Sequence, residues 1–339
     1  MHSPFTLVPW GLFLFAKCIF SAPAAAPAPA PYSSPVRDIY QFPNAGTWAE
    51  NLAVRASGQL IITRLDQPII QQVDPFTPGK EPVTIHTFPA AAGTIGITEY
   101  APDVFAVVTG NFSLATRANP PGEYSVWRVD MRSYRGPGTA TVTKITDVPT
   151  ALLLNGATVL DFSKGTILIA DSLAGNVIRV DTGKGTYTVV QSDPTMAGVA
   201  KGGIPIGING VRVRDGKLYF TNGTKNLLVR VHINPDGTAQ GPYTVLATNT
   251  VGQFDDFALD VFGGFFNCQG PSGTLAKITV QGDVGTEQEV VGNATIIGNT
   301  SARFGRTLFD LTTLYVTTNG GFPSPVEGAK IVAVQVPIL

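Results

Sequence analysis

The sequence predicts an all-β fold, a six-bladed β-propeller in which each blade has four strands. Three observations predict it: short apolar strands separated by Gly-containing turns, a polar residue that recurs at the start of the repeats, and a spacing of about 50 residues between repeats. No helical periodicity competes with these strands. Blades arranged around an axis explain the period, because each blade buries its faces against its neighbours and the ring leaves few exposed edges.

The third and fourth repeats are the clearest copies. Asn155 opens the third repeat and Asn209 opens the fourth, 54 residues later, and a glycine follows each of them. Asp255 and Ser301 continue the series at intervals of 46 residues, and Glu50 precedes Asn155 by 105 residues, which is about two repeats. This spacing indicates that the five residues occupy equivalent structural positions.

The other repeats are less regular, and they cover residues 50–73, 96–130, 255–280 and 301–336. The second repeat contains an insertion at residues 110–123, which we expect to be a loop. Residues 36–42 form a further strand-like segment before the first repeat. Because propeller rings commonly close with a strand from the other end of the chain, we expect this segment to complete the last blade.

The N-terminal region predicts export. Residues 1–24 combine an apolar stretch with small residues suited to signal-peptide cleavage, although the positive charge before the stretch is weak. A membrane anchor is the less favoured alternative because the stretch is short, so no membrane span is expected after leader removal. Residues 25–35 form an Ala/Pro-rich spacer, and residues 36–339 form the propeller domain. The predicted location is the secretory pathway, with the protein secreted or held in vesicles.

Glycosylation motifs agree with this location. The sequence has Asn-X-Ser/Thr sequons at Asn111, Asn222, Asn293 and Asn299, which predict glycosylation sites. Of the two cysteines, Cys18 lies in the leader, so the mature chain keeps only Cys268 and forms no internal disulfide. Cys268 lies in an apolar strand-like run and is interpreted as a buried, inert thiol.

Composition limits the possible partners. The net charge is −1 and the Lys and Arg residues are scattered, so the chain offers no basic surface for nucleic acid or an anionic membrane. The three histidines have no metal-ligand or triad spacing, and no Gly-X-Ser-X-Gly nucleophile motif is present. The expected partner is a hydrophobic small-molecule substrate.

The recurring polar residues predict a site in the central channel. If each repeat starts with its innermost strand, Glu50, Asn155, Asn209 and Asp255 converge at one end of that channel. Carboxylate and carboxamide oxygens suit a divalent cation such as Ca²⁺ or Mg²⁺, with Glu50, Asn209 and Asp255 as its ligands. Alternatively, these residues only form turns where the chain enters each blade. Four inward oxygen donors together favour a bound group.

Aromatic residues next to these positions predict an apolar wall. Trp48 precedes Glu50, while Phe254 and Phe257 flank the Asp255-Asp256 pair. Large apolar side chains beside a few polar groups are typical of pockets for hydrophobic ligands. We therefore predict that Trp48, Phe254 and Phe257 bind the substrate.

With these phrases in place, the chain resembles the senescence-marker-protein/gluconolactonase family of six-bladed propellers. The resemblance rests on Trp48-Ala-Glu-Asn, the two Asn-Gly pairs and the segment from Asp255 to Asp260, and it extends from about Val36 to the C-terminus. It implies that Glu50, Asn209 and Asp255 hold a divalent metal while Asn155 contacts substrate. Asp256 departs from the family pattern, which has glycine there, and this departure puts simple lactone hydrolysis in doubt.

The leader and the Phe304-Gly-Arg phrase resemble a secreted fungal branch of these propellers that recurs in secondary-metabolite pathways. Some of its members are hetero-Diels-Alderases, which join a tropolone-type quinone methide to a sesquiterpene such as humulene. The resemblance implies an enzyme in which Glu50 or Asp255 helps to expel water from a benzylic alcohol before cyclisation. Two alternatives stay open: a metal-dependent lactonase that uses the same residues, and a non-catalytic ligand-binding propeller.

Overall fold

The computed structural model describes residues 34–113, 116, 120–200, 203–249, 252–292 and 294–336. The predicted leader, the spacer up to residue 33 and the sequon at Asn293 lie outside these residues. None of the helices in the described segments has the length and apolar character that a membrane crossing needs.

Six antiparallel sheets of four strands form the domain, as the repeats predict. Blade one contains β2 (Ala49–Val54), β3 (Leu60–Arg64), β4 (Ile69–Val73) and β5 (Val83–Thr87). Blade two contains β6 (Gly93–Ala101), β7 (Val104–Gly110), β8 (Ser125–Asp130) and β9 (Thr141–Asp147). Blade three contains β10 (Leu154–Asp161), β11 (Thr166–Asp171), β12 (Asn176–Asp181) and β13 (Thr186–Ser192).

The second half of the chain repeats the arrangement. Blade four contains β14 (Ile208–Arg214), β15 (Lys217–Asn222), β16 (Leu227–His232) and β17 (Thr244–Thr248). Blade five contains β18 (Phe257–Leu259), β19 (Phe265–Gln269), β20 (Thr274–Gln281) and β21 (Val284–Gly292). Blade six contains β22 (Asn299–Phe304), β23 (Thr313–Thr318), β24 (Lys330–Gln335) and β1 (Val36–Gln41). Short 3-10 helices occur at Gly270–Ser272 and Ala294–Ile296.

Two details of the sequence prediction are confirmed. The strand from the N-terminal side, β1, pairs with β24 and closes the ring, with Val36 opposite Val334 and Gln41 opposite Lys330. In the predicted insertion of blade two, the described residues 111–113, 116 and 120–123 contain no strand, while Gly110 still belongs to β7.

Burial decreases from the inner strands to the outer ones. Every residue of β11 is buried, whereas β13 and β9 expose alternate or consecutive residues. Apolar clusters fill the spaces between adjacent blades; one of them joins Leu52 and Leu60 of blade one to Tyr315 and Ile331 of blade six. Each blade is therefore stabilised mainly by its neighbours, as expected for a repeat protein.

Hydroxyl groups on second strands connect successive blades near the axis. Thr63 donates to the carbonyl of Ile95 in the next blade at 2.6 Å, and Thr221 donates in the same way to the carbonyl of Asp255 at 2.6 Å. Thr317 closes the circle with a 3.3 Å bond to the carbonyl of Glu50. These bonds satisfy buried main-chain acceptors. They also fix the position along the propeller axis of the first strand in one blade relative to the second strand of the preceding blade.

Glycine after the recurring polar residue lets the first strands approach each other. A Cβ atom at Gly156 would lie 2.4 Å from the carbonyl oxygen of Asn209, and one at Gly210 would lie 2.2 Å from a carboxylate oxygen of Asp256. Neither distance is compatible with an alanine, so the Asn-Gly pairs make room for the neighbouring strand.

Candidate functional site

A cavity of about 370 Å³ opens at the end of the propeller where the first strands begin and the second strands end. Its lining includes Glu50 from blade one, Asn155 from blade three, Asn209 from blade four and Asp255 from blade five. The structure thus brings together four of the five polar residues that the repeat spacing selects. The fifth, Ser301, does not line the cavity, and its hydroxyl group donates a hydrogen bond to Asp256 at 2.8 Å. In blade two the corresponding place in the lining belongs to Ile95, which is apolar.

The two asparagines present unpaired oxygen atoms. Asn155 Oδ1 and Asn209 Oδ1 are buried and have no hydrogen-bond partner within the described residues. The carboxylate of Asp255 accepts a hydrogen bond from the Asn209 side chain. The amide nitrogen of Asn209 is therefore its donor to Asp255, and Oδ1 is the atom without a partner. Leaving buried acceptors unpaired is costly, so both oxygens are suited to a donor group or a cation brought by a ligand.

The carboxyl groups of Glu50 and Asp255 hold protons more tightly than usual. Burial raises the pKa of Glu50 to about 7, against the lowering effect of a hydrogen bond from Trp48. Burial and the nearby charge of Glu50 raise the pKa of Asp255 well above its ordinary value. Two buried acids that repel each other keep a proton near neutrality, and this state can donate that proton to a substrate.

A third buried carboxylate, Asp256, follows Asp255 directly in the chain. Asp256 accepts hydrogen bonds from Arg212 at 2.9 Å, from Arg303 at 3.1 Å and from Ser301 at 2.8 Å. Burial raises its pKa, and the charge of Arg212 opposes that increase. The two guanidinium groups balance a carboxylate that would otherwise be an isolated buried charge. The residue that departs from the family pattern is thus part of a buried ion-pair network.

Trp48 connects the acid to the cavity wall. Its indole N–H donates a hydrogen bond to Oε2 of Glu50, and its ring lies 4.8 Å from the ring of Phe322, centroid to centroid. The hydrogen bond restrains the carboxylate, while the ring contact belongs to the apolar lining. The remaining apolar lining comes from Leu65, Ile95, Phe112, Leu153, Ile204, Ile206, Phe254, Pro271 and Pro323.

The prediction for Phe257 is not supported by its position. Phe257 has no exposed surface and lies in the cluster between blades, where its ring packs against Phe265 and under the guanidinium of Arg212. Strand β18 begins at this residue, and Phe257 is not part of the cavity lining. Trp48 and Phe254, by contrast, both line the cavity.

Two polar lining residues escape the repeat pattern. Gln253 precedes Phe254, and Asn319 directly follows β23. Asn319 accepts hydrogen bonds from the main-chain N–H groups of Gly321 and Phe322, each at 3.0 Å, and so fixes the turn that carries Phe322. The Asn-Gly-Gly sequence after an apolar strand indicates a turn, but nothing in it indicates a cavity.

Burial also corrects two of the predicted glycosylation sites. Asn222 and Asn299 have no exposed surface, and their side-chain amides donate to main-chain carbonyls of Thr195 and Thr274, respectively, at 2.8 Å and 2.9 Å. A glycan cannot be accommodated at either side chain in the folded protein. Asn111 is partly exposed at the cavity end, and Cys268 is buried, as predicted.

The donor set is chemically compatible with a divalent cation. Within the described segments no group of three or more His, Cys, Asp or Glu side chains is arranged to hold a metal. An ion at this site would therefore need the carboxylates of Glu50 and Asp255 together with amide oxygens. The unpaired Oδ1 atom of Asn209 supplies the kind of oxygen that Ca²⁺ and Mg²⁺ accept.

Comparison with known proteins identifies two relatives of similar length. A protein named "Putative hetero-Diels-Alderase" from Phoma sp. is 28% identical over 328 residues, which cover 88% of this chain and 92% of the relative. A second protein, named "Putative hetero-Diels-Alderase asR5", from Sarocladium schorii is 25% identical over 342 residues, which cover 87% of this chain and 80% of the relative. No protein-family model matches the chain.

Solved structures share the fold at lower identity. The calcium-binding protein regucalcin from Agrobacterium tumefaciens superposes with a TM-score of 0.61 at 16% identity, over 90% of this chain and 96% of that one. A "putative gluconolactonase" gives a TM-score of 0.57 at 15% identity, over 90% and 93%. The chain is therefore a six-bladed propeller similar to gluconolactonase-like and regucalcin-like structures, with sequence relatives named for hetero-Diels-Alder chemistry.

Proposed function

We propose that the protein is an enzyme of secondary metabolism that removes water from a benzylic alcohol and joins the resulting quinone methide to an alkene by hetero-Diels-Alder cyclisation. The observation that carries this proposal is the pair of proton-retaining carboxyl groups, Glu50 and Asp255, in a cavity whose other walls are mostly apolar. The names of the two sequence relatives support the same reaction class.

Dehydration uses the carboxyl pair. The protonated member donates its proton to the departing hydroxyl group, the C–O bond breaks and water leaves. A carboxylate accepts the proton of the ring hydroxyl, so that the organic product is a neutral quinone methide. Asn155 and Asn209 orient the substrate, because their unpaired oxygens accept hydrogen bonds from its hydroxyl groups.

Cyclisation needs position rather than a further acid. The quinone methide contributes an oxygen-containing diene and the terpene contributes a double bond. Three π bonds are replaced by two new σ bonds and one π bond, and no group leaves. Ile95, Ile206 and Phe254 provide the apolar contacts that hold a hydrocarbon partner against the diene. Holding two reactants in register supplies a large part of the rate enhancement in such a reaction.

The unpaired amide oxygen of Asn209 favours a second candidate, a divalent-metal-dependent lactonase. Glu50, Asn209 and Asp255 would hold the cation, which would polarise a lactone carbonyl and activate water. Asn155 would then contact the lactone. The same four side chains serve both candidates, so the reaction has to be distinguished by assay.

The experiment supplies the purified protein with a tropolonic benzylic alcohol and humulene, and follows cycloadduct formation by mass spectrometry. Glu50→Gln keeps the shape of the side chain and removes its acidity, so we expect the rate to fall by about 100-fold or more. Glu81→Gln, at an exposed position outside the cavity, is the matched control and should leave the rate unchanged.

A parallel assay measures lactone hydrolysis with and without chelator. Lactone hydrolysis that disappears with chelator and returns with Ca²⁺, with no cycloadduct above the uncatalysed level, would replace the cyclase by the lactonase. Cycloadduct formation that persists in chelator and is lost in Glu50→Gln supports the cyclase.

A further inference from the structure

The end of the propeller opposite the cavity carries strongly exposed apolar side chains. The turns between the first and second strands lie at this end, because the first strands begin at the cavity. Three of these turns, in blades three, five and six, project large apolar residues. We call these five side chains the apolar tips: Phe162 (58% exposed), Val261 (71%), Phe262 (68%), Leu308 (90%) and Phe309 (90%).

Each of these turns is held in shape by an aspartate. Asp161 accepts a hydrogen bond from the N–H of Ser163 at 2.9 Å in the blade-three turn. Asp260 accepts from the N–H groups of Phe262 and Gly264 at 2.9 Å and 2.7 Å in the blade-five turn. These bonds fix the backbone so that the apolar side chains point outward rather than folding back onto the blade.

The turn of blade six follows the same design. Asp310 accepts hydrogen bonds from the N–H and the hydroxyl group of Thr307, both at 2.7 Å, and from Tyr315 at 3.0 Å. Leu308 and Phe309 lie between these bonded residues and are the most exposed large apolar side chains that the structure describes. Exposed side chains of this kind bury no apolar surface on folding, and their grouping at one end of a fold is typical of a binding surface.

The charges around the apolar tips are already neutralised. Lys164 pairs with Asp161 at 3.1 Å, and Lys277 pairs with Asp260 at 3.6 Å. Arg306, next to the blade-six turn, pairs with Glu99. Because these bases have acidic partners, no unpaired basic side chain among them is available to attract an anionic partner. The complementary partner is electrically neutral at its surface and apolar beneath it.

We propose that this end of the propeller docks on a zwitterionic phospholipid surface, with the apolar tips inserted below the headgroups. The tips stand on three separate turns, and the bases next to those turns are already paired, which suits insertion into a fluid lipid layer better than contact with one continuous protein surface. Docking in this way leaves the cavity at the far end of the molecule open. The proposal is independent of the reaction performed in the cavity.

Flotation of the full-length protein with phosphatidylcholine vesicles tests the proposal. The double variant Phe262→Ser/Phe309→Ser removes two tips, and we expect its partition coefficient to fall about tenfold or more, since the apolar area available for insertion is lost. Val326→Ser is the control at the other end, because Val326 is 74% exposed and lies in the connection that follows the second strand of blade six. It should bind vesicles as the unmodified protein does. Every variant keeps the same N-terminal segment.

Several results would overturn the proposal. Equal binding by the double variant, or an equal loss in Val326→Ser, would show that the tips do not mediate docking. Binding that requires phosphatidylserine would point to an anionic surface instead. Dimerisation without vesicles that the double variant abolishes would assign the tips to a second copy of the chain. Thermal unfolding of each variant verifies that these exposed substitutions leave the fold intact.

Discussion

The indole N–H of Trp48 donates a hydrogen bond to the carboxylate of Glu50, two residues further along the chain. Trp48 lies just before β2 and Glu50 lies within it, so the start of one strand supplies both the acid and the residue that restrains it. The indole also contacts Phe322 from blade six. The orientation of the acid is thereby linked to the wall that contacts an apolar ligand.

Trp48→Phe should raise the pKa of Glu50 further above its present value of about 7, because the lost hydrogen bond stabilises the ionised form. Infrared titration of the protonated carboxyl band, with Glu50→Gln subtracted, measures the midpoint. Trp127→Phe is the control, since its indole donates to Thr109 away from the cavity. A midpoint that stays fixed in Trp48→Phe would argue against this role for the indole.

Stability should fall as the pH rises from about 4.5 to about 7. Across this window the folded protein keeps a proton on Glu50 that the unfolded chain releases, since burial raises the pKa from 4.5 to about 7. The difference between the pKa of Glu50 in the folded and in the unfolded state corresponds to a loss of about 3 kcal/mol in the free energy of unfolding across this window. Urea unfolding at pH 5 and pH 8, in chelator, measures it. Glu50→Gln should show a shallower pH dependence, with the remainder coming from Asp255.

Asp256→Asn should reduce the free energy of unfolding by about 3 kcal/mol, because Arg212 and Arg303 lose the carboxylate that balances their buried charges. Urea unfolding measures the change. Asp283→Asn removes a carboxylate from an exposed ion pair with Arg230 and should change stability by less than about 1 kcal/mol. Equal losses in the two variants would mean that burial of the Asp256 network adds nothing.

Gly210→Ala should be destabilising by about 1–3 kcal/mol, because the new methyl group would lie 2.2 Å from a carboxylate oxygen of Asp256 and 2.8 Å from its Cα atom. The double variant Gly210→Ala/Asp256→Gly should lose less stability than the sum of the two single losses, since the contact with the carboxylate oxygen is removed. Gly203→Ala, where a Cβ meets no atom within 4 Å, is the control. Strict additivity of the double variant would contradict the contact.

Glycans should be absent from Asn222 and Asn299 when the protein is made in the secretory pathway of a eukaryotic host, because both side chains are buried and hydrogen-bonded. Asn111 is partly exposed and should be modified. Peptide mapping by mass spectrometry distinguishes the sites, and Asn111→Gln should remove the corresponding mass. A glycan found on Asn222 in folded protein would contradict its placement.

Much of the fold follows from the sequence because a propeller repeats one local solution. In blades two, three and four a glycine stands where adjacent first strands approach most closely, at Gly96, Gly156 and Gly210. The same regularity places Glu50 and Asp255 in the cavity. The position of a residue within the repeat can therefore be predicted from a single sequence.

Features that depend on contacts between distant segments were not predictable in this way. Ile95 lines the cavity where a polar residue would continue the pattern, and Asn319 enters it from the end of a second strand. Phe257 was misplaced because adjacency to Asp255 in sequence does not fix the direction of its ring. The glycosylation predicted at Asn222 and Asn299 disagrees with their burial for a similar reason, since neighbouring segments decide whether a side chain is exposed.

Pairing of β1 with β24 places the two ends of the domain in adjacent strands of one sheet. A short linker between them would let the chain be opened at another turn, so circular permutants that start between any two blades should assemble the same ring. It also means that a nascent chain can form blades one to five before β24 is made, and that the ring becomes continuous only when β24 pairs with β1.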